Sequence, residues 1–107
     1  MPEELEIDPQ SLRKMLDARQ DFFFLDCREP QEFEIARIDG ATLIPMSELQ
    51  HRVEEIPKDR PVVVYCHHGM RSMNVALWLR SKSVDAQSLA GGIDRWSVEI
   101  DPTVPRY

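Results

Sequence analysis

Short apolar runs alternate with amphipathic stretches along the whole chain. Leu5 to Ile7 reads as a brief strand. Asp8 then caps a helix whose first position is Pro9, where the missing N–H costs nothing. Leu12, Met15 and Leu16 give that helix one apolar face. Phe22 to Asp26 is a continuous apolar run of strand length, the signature of a strand covered on both faces in a parallel sheet. Pro30 opens a short helix through Phe33 and Ile35, and Ala41 to Pro45 is a third strand stopped by its proline. Ser47 and Gln50 form a capping box ahead of a helix whose inward stripe is Leu49, Val53 and Ile56. Pro61 to Cys66 holds the densest β-branched run, which predicts the central strand. Ser72 to Ser81 predicts a helix lying on the sheet through Met73, Ala76, Leu77 and Leu79. Ala86 to Gly92 is a weaker strand ending at a double glycine, followed by a short helix around Trp96. Residues 101–107, with Pro102 and Pro105, are expected to run extended along the surface.

This alternation implies right-handed crossovers and a parallel sheet with helices on both faces, an α/β architecture. A single domain over residues 1–107 is expected, with its core at about 5–100 and an extended tail at 101–107. In such folds the ligand crevice lies beyond the carboxyl ends of the strands. Three polar or reactive stretches fall there: Asp26-Cys27-Arg28, Cys66 to Arg71, and Gly91-Gly92.

Composition narrows the function classes. A chain that is 42% hydrophobic and 30% charged is globular in type. The net charge of −6 argues against nucleic acid or an anionic membrane surface as partner, though not against a small anion in a local pocket. No apolar stretch approaches the roughly 18 residues of a membrane span. The acidic start lacks a signal-peptide pattern, and two distant cysteines make a poor disulfide framework, so a reducing, cytoplasmic setting is expected.

Cys66 carries the candidate chemistry. At the end of a central strand and the mouth of a helix, unpaired N–H groups and the helix dipole favour negative charge. A thiol of ordinary pKa about 8.5 is shifted toward thiolate in such a place, more so with Arg71 close by. Gly69 permits backbone angles that let successive N–H groups point inward as a nest suited to a thiolate, a persulfide or an oxyanion on sulfur. A lone cysteine is more often an inert buried hydrophobe. Cysteine followed by polar residues, glycine and arginine at a strand-to-helix turn favours the nucleophile.

The loop "CHHGMRS" resembles the active-site loop of rhodanese-type sulfurtransferases, which run Cys-x-x-Gly-x-Arg or a close variant. "FLDCREPQEFEIARIDGATLIP" is similar to that family's Asp-x-Arg stretch and the Gly-His-Ile segment after it, and "LAGGIDRW" resembles its Glu-Gly-Gly-Ile-x-x-Trp ending. The resemblance covers about residues 5–100. It implies five parallel strands with the first at one edge and the Cys66 strand near the middle. It also implies a sulfurtransferase that accepts sulfane sulfur on Cys66 as a persulfide and passes it to a thiophilic acceptor. The donor is expected to be a small molecule such as thiosulfate, the acceptor a thiol or a protein, and no cofactor is needed beyond the covalent persulfide. His67, His68, Gly69, Met70, Arg71 and Ser72 would bind the outer sulfur and, through Arg71, the sulfonate.

The sequence departs from the family at Ala36-Arg37, where Gly-His is usual, and at Ala90, where Glu is usual. His67 and His68 occupy positions that often carry Arg, Lys or Ser, and their imidazoles are read as spectators whose backbone N–H groups do the work. Spacing separates two enzyme classes. Related phosphatases of the cell-cycle type use Cys-x5-Arg, whereas Cys66 to Arg71 is Cys-x4-Arg, the length associated with sulfur transfer. No metal is expected, because Cys66, His67 and His68 are consecutive and cannot all aim at one ion.

The resemblance gives Asp26 a structural part, holding an arginine near the site. Arg28 is expected either to add positive potential or to form a surface salt bridge. Cys27 is read as an inert buried thiol, with a resolving cysteine as the minor alternative. Trp78 and Trp96 are read as core, and Glu54-Glu55 with the acidic N-terminus as solvated faces. Two rival readings stand beside catalysis: a non-enzymatic interaction module, and a sulfur relay serving an E1-like adenylating enzyme. The relay rests on "WSVEIDPTVPRY", which resembles the end of rhodanese domains attached to such enzymes.

Overall fold

The computed structural model describes residues 4–107. Five parallel strands form one sheet: β1 (Glu6–Ile7), β2 (Phe23–Asp26), β3 (Thr42–Leu43), β4 (Val62–Tyr65) and β5 (Ala86–Leu89), in the order β1-β5-β4-β2-β3. Five α-helices connect them: α1 (Pro9–Asp17), α2 (Pro30–Ile35), α3 (Leu49–Arg52), α4 (Met70–Ser81) and α5 (Gly92–Glu99). Single 3-10 turns at Met46–Glu48 and Val53–Glu55 flank α3. The β-branched run becomes β4, at the centre of the sheet and buried at every position.

Alternation along β4 divides the core in two. Val62, Val64 and Cys66 face a cluster with Leu49, Ile56, Val75, Ala76 and Leu79, so α3 and α4 cover that side. Val63 and Tyr65 face the opposite cluster, which contains Leu12, Ile93 and Trp96 and is covered by α1 and α5. Burying a side chain of this size contributes about 1.5–3 kcal/mol, and the central strand spends every residue this way. Asp8 caps α1 by accepting the Ser11 amide at 2.7 Å, with Pro9 in the first turn.

Several expectations need correcting. Ser47 caps no helix, because Pro45 leads into a 3-10 turn that runs directly on into α3. The capping box forms instead on α2, where Glu32 accepts the Glu29 amide at 3.1 Å. Leu77 is 53% exposed, while Ser72, Val75, Ala76 and Leu79 line the buried face of α4. Trp96 is core, but Trp78 is only partly buried at the margin of its cluster. The segment after α5 does not simply run along the surface. It turns at Asp101, whose carboxylate accepts the Thr103 amide at 3.1 Å, and Val104 is buried in the α1–α5 cluster.

Candidate active site

Cys66 is the first residue past β4, and α4 begins at Met70, so residues 66–69 must turn the chain through a tight loop. Gly69 makes this turn with φ 103°, a left-handed angle that side chains resist, and a Cβ there would crowd the Gly91 nitrogen at 3.3 Å. The loop closes around sulfur. Cys66 Sγ accepts the Gly69 N–H at 3.1 Å and the Ser72 N–H at 3.3 Å, and its thiol donates to Ser72 Oγ at 3.4 Å. The Ser72 amide lies in the first turn of α4, where no carbonyl of the helix can accept it. Two N–H dipoles and the positive helix end therefore converge on one atom that is almost wholly shielded, Cys66 being 1% exposed. Ser72 Oγ is held in turn by Ser88 Oγ of β5 at 2.7 Å.

The double glycine orients the other side of the loop. Gly91 and Gly92 take φ of 74° and 61°, and the amides that follow donate outward: Ile93 N–H to the Cys66 carbonyl at 2.9 Å, Asp94 N–H to the His67 carbonyl at 3.1 Å. Those two bonds to α5 fix the loop in the conformation that presents the Gly69 and Ser72 amides to the sulfur. A Cβ on Gly92 would land on the Cys66 and His67 carbonyl oxygens, so only glycine lets the two elements meet.

Arg28 differs from expectation, and Arg71 has a partner. Arg28 is neither a source of potential at the surface nor a surface salt bridge. It is fully buried, with Nε and Nη2 on the Asp26 carboxylate at 2.9 and 2.6 Å and Nη2 also on the Ala36 carbonyl at 2.6 Å. Asp26 completes the unit by accepting the Arg28 amide at 3.0 Å. Arg71 stands beside the loop, but its charge is matched: Nη1 and Nη2 donate to the two Glu32 oxygens at 2.7 and 2.9 Å. The Arg71 guanidinium holds the Glu32 carboxyl well below its usual range, at about 2.

His67 and His68 stack on each other with centroids 3.8 Å apart, and Tyr107 stacks on His67 at 3.8 Å and 7°. Burial, with His68 as neighbour, lowers the His67 pKa, and its Nε2 is buried with no partner. The Tyr107 hydroxyl accepts from Arg28 Nη1 at 2.8 Å and donates to Glu32 Oε2 at 2.7 Å. Met70 projects into solvent at 74% exposure. Cys27 lies in the core, where burial pushes its thiol pKa up and away from thiolate.

The consecutive Cys66-His67-His68 do not converge, but His67, His68 and Asp94 do, with ligand atoms within 4.8 Å of one another. Imidazole lone pairs lie in the ring plane, and these two rings stack face to face at 28°, so they do not aim at a common point. Both Asp94 oxygens already accept from Arg106, at 2.8 and 3.1 Å.

Sequence reasoning missed Glu32, Ser88 and Tyr107. A capping-box signal at Glu29 to Glu32 was available in the chain, and Ser88 is a small polar residue inside an otherwise buried strand. Tyr107 offered no signal in spacing, since only the folded chain brings it to the loop.

Residues 8–99 match the Rhodanese-like domain family. The chain is 38% identical over 93 residues to a sulfurtransferase of Allochromatium vinosum, covering 86% of this chain and 87% of that one. It is 36% identical over 104 residues to a probable adenylyltransferase/sulfurtransferase, MoeZ, of Mycobacterium tuberculosis, covering 94% of this chain but only 26% of that protein. Among solved structures, a rhodanese-related protein from Thermoplasma volcanium superimposes with TM-score 0.81 at 29% identity, over 95% of this chain and 98% of that one. The CoADR-RHD structure from Bacillus anthracis superimposes with TM-score 0.85 at 25% identity, over 94% of this chain and 18% of that one. The chain belongs to the Rhodanese-like domain family.

Proposed function

We propose that the protein is a sulfurtransferase in which Cys66 accepts sulfane sulfur as a persulfide and passes it to a thiophilic acceptor. The observation that carries this reading is the pair of amides, Gly69 and Ser72, directed at Cys66 Sγ from a helix N-terminus. Relatives named as sulfurtransferases support the reaction class.

With thiosulfate as donor, the thiolate attacks the outer sulfur, the S–S bond to the sulfonate sulfur breaks, and sulfite leaves with the bonding pair. The acceptor then attacks that outer sulfur and returns the electron pair to Cys66 as thiolate. Oxidation states balance without an added reductant, and no base is required once the thiolate is present. The nest of loop amides, from His67 to Ser72, stabilises charge on the outer sulfur as it stabilises the thiolate. His67, His68 and Met70 contribute backbone, while Arg71 and Ser72 add side chains beside the sulfur. Asp26 and Arg28 form a buried pair that reaches the loop through the Tyr107 hydroxyl and its ring on His67. No cofactor takes part. A reducing, cytoplasmic setting agrees with two unpaired buried cysteines, and among the described residues no helix is long and apolar enough to cross a membrane.

A relay role is the second reading, favoured by the 36% identity to a protein named as both adenylyltransferase and sulfurtransferase, of which this chain spans about a quarter (26%). In that reading the acceptor is protein-borne. Incubation with thiosulfate should add one sulfur mass to Cys66, read by intact and peptide mass spectrometry, and Cys66→Ser should abolish it. Sulfur found on Cys27 alone would overturn the assignment.

A further inference from the structure

The segment after α5 is anchored at one point and clasped at another. Val104 is buried, and Ser97 Oγ donates to its carbonyl at 2.5 Å. Beyond this anchor, residues 105–107 are all exposed, yet Arg106 pairs with Asp94 and Tyr107 reaches back over the Cys66 loop. Its ring covers one face of His67, next to the nucleophile, and its hydroxyl bonds Glu32, the partner of Arg71. The phenol therefore bridges the two ends of the loop, His67 directly and Arg71 through one carboxylate. Burial pushes the Tyr107 pKa up to about 12, so the hydroxyl remains a donor to Glu32 at neutral pH.

The groups beneath the clasp keep their principal partners without it. Without Tyr107, Arg71 keeps both bonds to Glu32, and Arg28 keeps Asp26 and the Ala36 carbonyl. Tyr107 is itself 37% exposed, and the closed arrangement leaves His67 Nε2 buried and unpaired. A layer held by one stacked ring, two hydroxyl bonds and a surface ion pair is the low-stability end of the structure and opens locally at small cost.

We infer that Tyr107 is a size-determining residue of the Cys66 site: with residues 105–107 clasped, small molecules reach the sulfur, and a protein-borne group reaches it only when the clasp opens. The inference rests on Cys66 being the reactive thiol, and it sets a condition on any macromolecular donor or acceptor.

Alkylation tests it without any sulfur donor. Cys66 is labelled at neutral pH with iodoacetamide and, separately, with a maleimide carried on a polymer chain, and both rates are read by mass spectrometry. Because the apparent rate scales with the open fraction, Tyr107→Ala should raise the polymer rate about tenfold or more and the iodoacetamide rate less than about threefold. Tyr107→Phe keeps the ring and loses both hydroxyl bonds, so it should fall between. Arg106→Glu, which faces Asp94 with like charge, should move the polymer rate the same way with Tyr107 intact, and it decides the matter should Tyr107→Ala fail to fold. Equal acceleration of both reagents, or of neither, would overturn the inference. Failure of Cys66 to take up sulfur, with the size effect present, would instead count against the proposed function and leave the clasp standing.

Discussion

Gly92 shows how one missing side chain sets the chemistry of a neighbouring loop. Its φ of 61° and its contact with the Cys66 and His67 carbonyls combine a backbone angle and a distance that alanine cannot meet together. Gly92→Ala should push the start of α5 off the loop, lowering the melting temperature by the equivalent of about 1–3 kcal/mol for a forced left-handed angle. Sulfur transfer should fall further than stability accounts for, because the freed carbonyls no longer hold the loop amides inward. A variant that melts early but retains full turnover per folded molecule would show that the amides need no such restraint. Asp26 presents a different kind of dependence. Asp26→Asn leaves the Arg28 guanidinium fully buried without its counter-charge, which should cost about 3–5 kcal/mol and be visible as a large drop in denaturant midpoint. A change within experimental error would mean that Arg28 moves to water when released. The buried state of this arginine was not legible in the chain, since arginine two residues after aspartate reads equally well as a surface pair. The Ala36 carbonyl, which takes a second bond from Nη2 beside the Asp26 carboxylate, is the partner that the spacing does not reveal.

At the level of elements, α2 carries more of the site than its six residues suggest. Glu32 caps the helix through the Glu29 amide and also grips Arg71 at the start of α4, tying two crossovers together at the mouth. Its folded pKa of about 2 lies below the ordinary 4.5, so ionised Glu32 stabilises the fold above about pH 4.5, and this is lost as pH falls toward 2. The pair is partly open to water, with the Arg71 side chain 36% exposed, so solvent screening holds that contribution well below the roughly 3.4 kcal/mol that 1.36 kcal/mol per unit would give. Glu32→Gln should flatten the acid limb of a stability–pH curve in that window and lower stability at neutral pH; an unchanged acid limb would mean that the ion pair contributes nothing net. Strands and long helices were readable because period and β-branching report burial directly, as in Val62 to Tyr65. Ser47 and Leu77 were misread for physical reasons. A serine before a helix competes with the proline two residues earlier, which sets a 3-10 turn, and a leucine can occupy the solvent side of a helix whose opposite face is filled by Val75, Ala76 and Leu79. The loop itself was legible, since strand end, glycine and helix start are local. The partners of its charges were not, because Glu32 and Tyr107 are separated from Arg71 by 39 and 36 positions of chain.

Across the whole molecule, strand order sets what surrounds Cys66. The central strand β4 ends between β5 and β2, so the loop after Cys66 meets the glycine clamp that follows β5 on one side, while the Asp26–Arg28 pair lies at the end of β2 on the other. Each cation described at the site has a carboxylate partner, Arg71 with Glu32, Arg28 with Asp26 and Arg106 with Asp94, while the chain as a whole carries −6. An anionic donor therefore approaches against net repulsion, and raising sodium chloride from low to physiological strength should lower the KM for thiosulfate by screening it. A KM that rises with salt would mean that Arg71 dominates the approach despite its partner. The Cys-x4-Arg spacing also predicts sulfur transfer far above aryl phosphate hydrolysis, measured side by side.

The contacts that brace the loop around Cys66 come from well-separated parts of the chain: Ser88 on β5 through Ser72, Ile93 and Asp94 on α5 through two loop carbonyls, Glu32 on α2 through Arg71. A nascent or partly unfolded chain has the cysteine but none of this surrounding. On the proposed reading, a persulfide on Cys66 would form only where the finished domain is present to hold it. Reactivity of that kind would double as a proof of assembly.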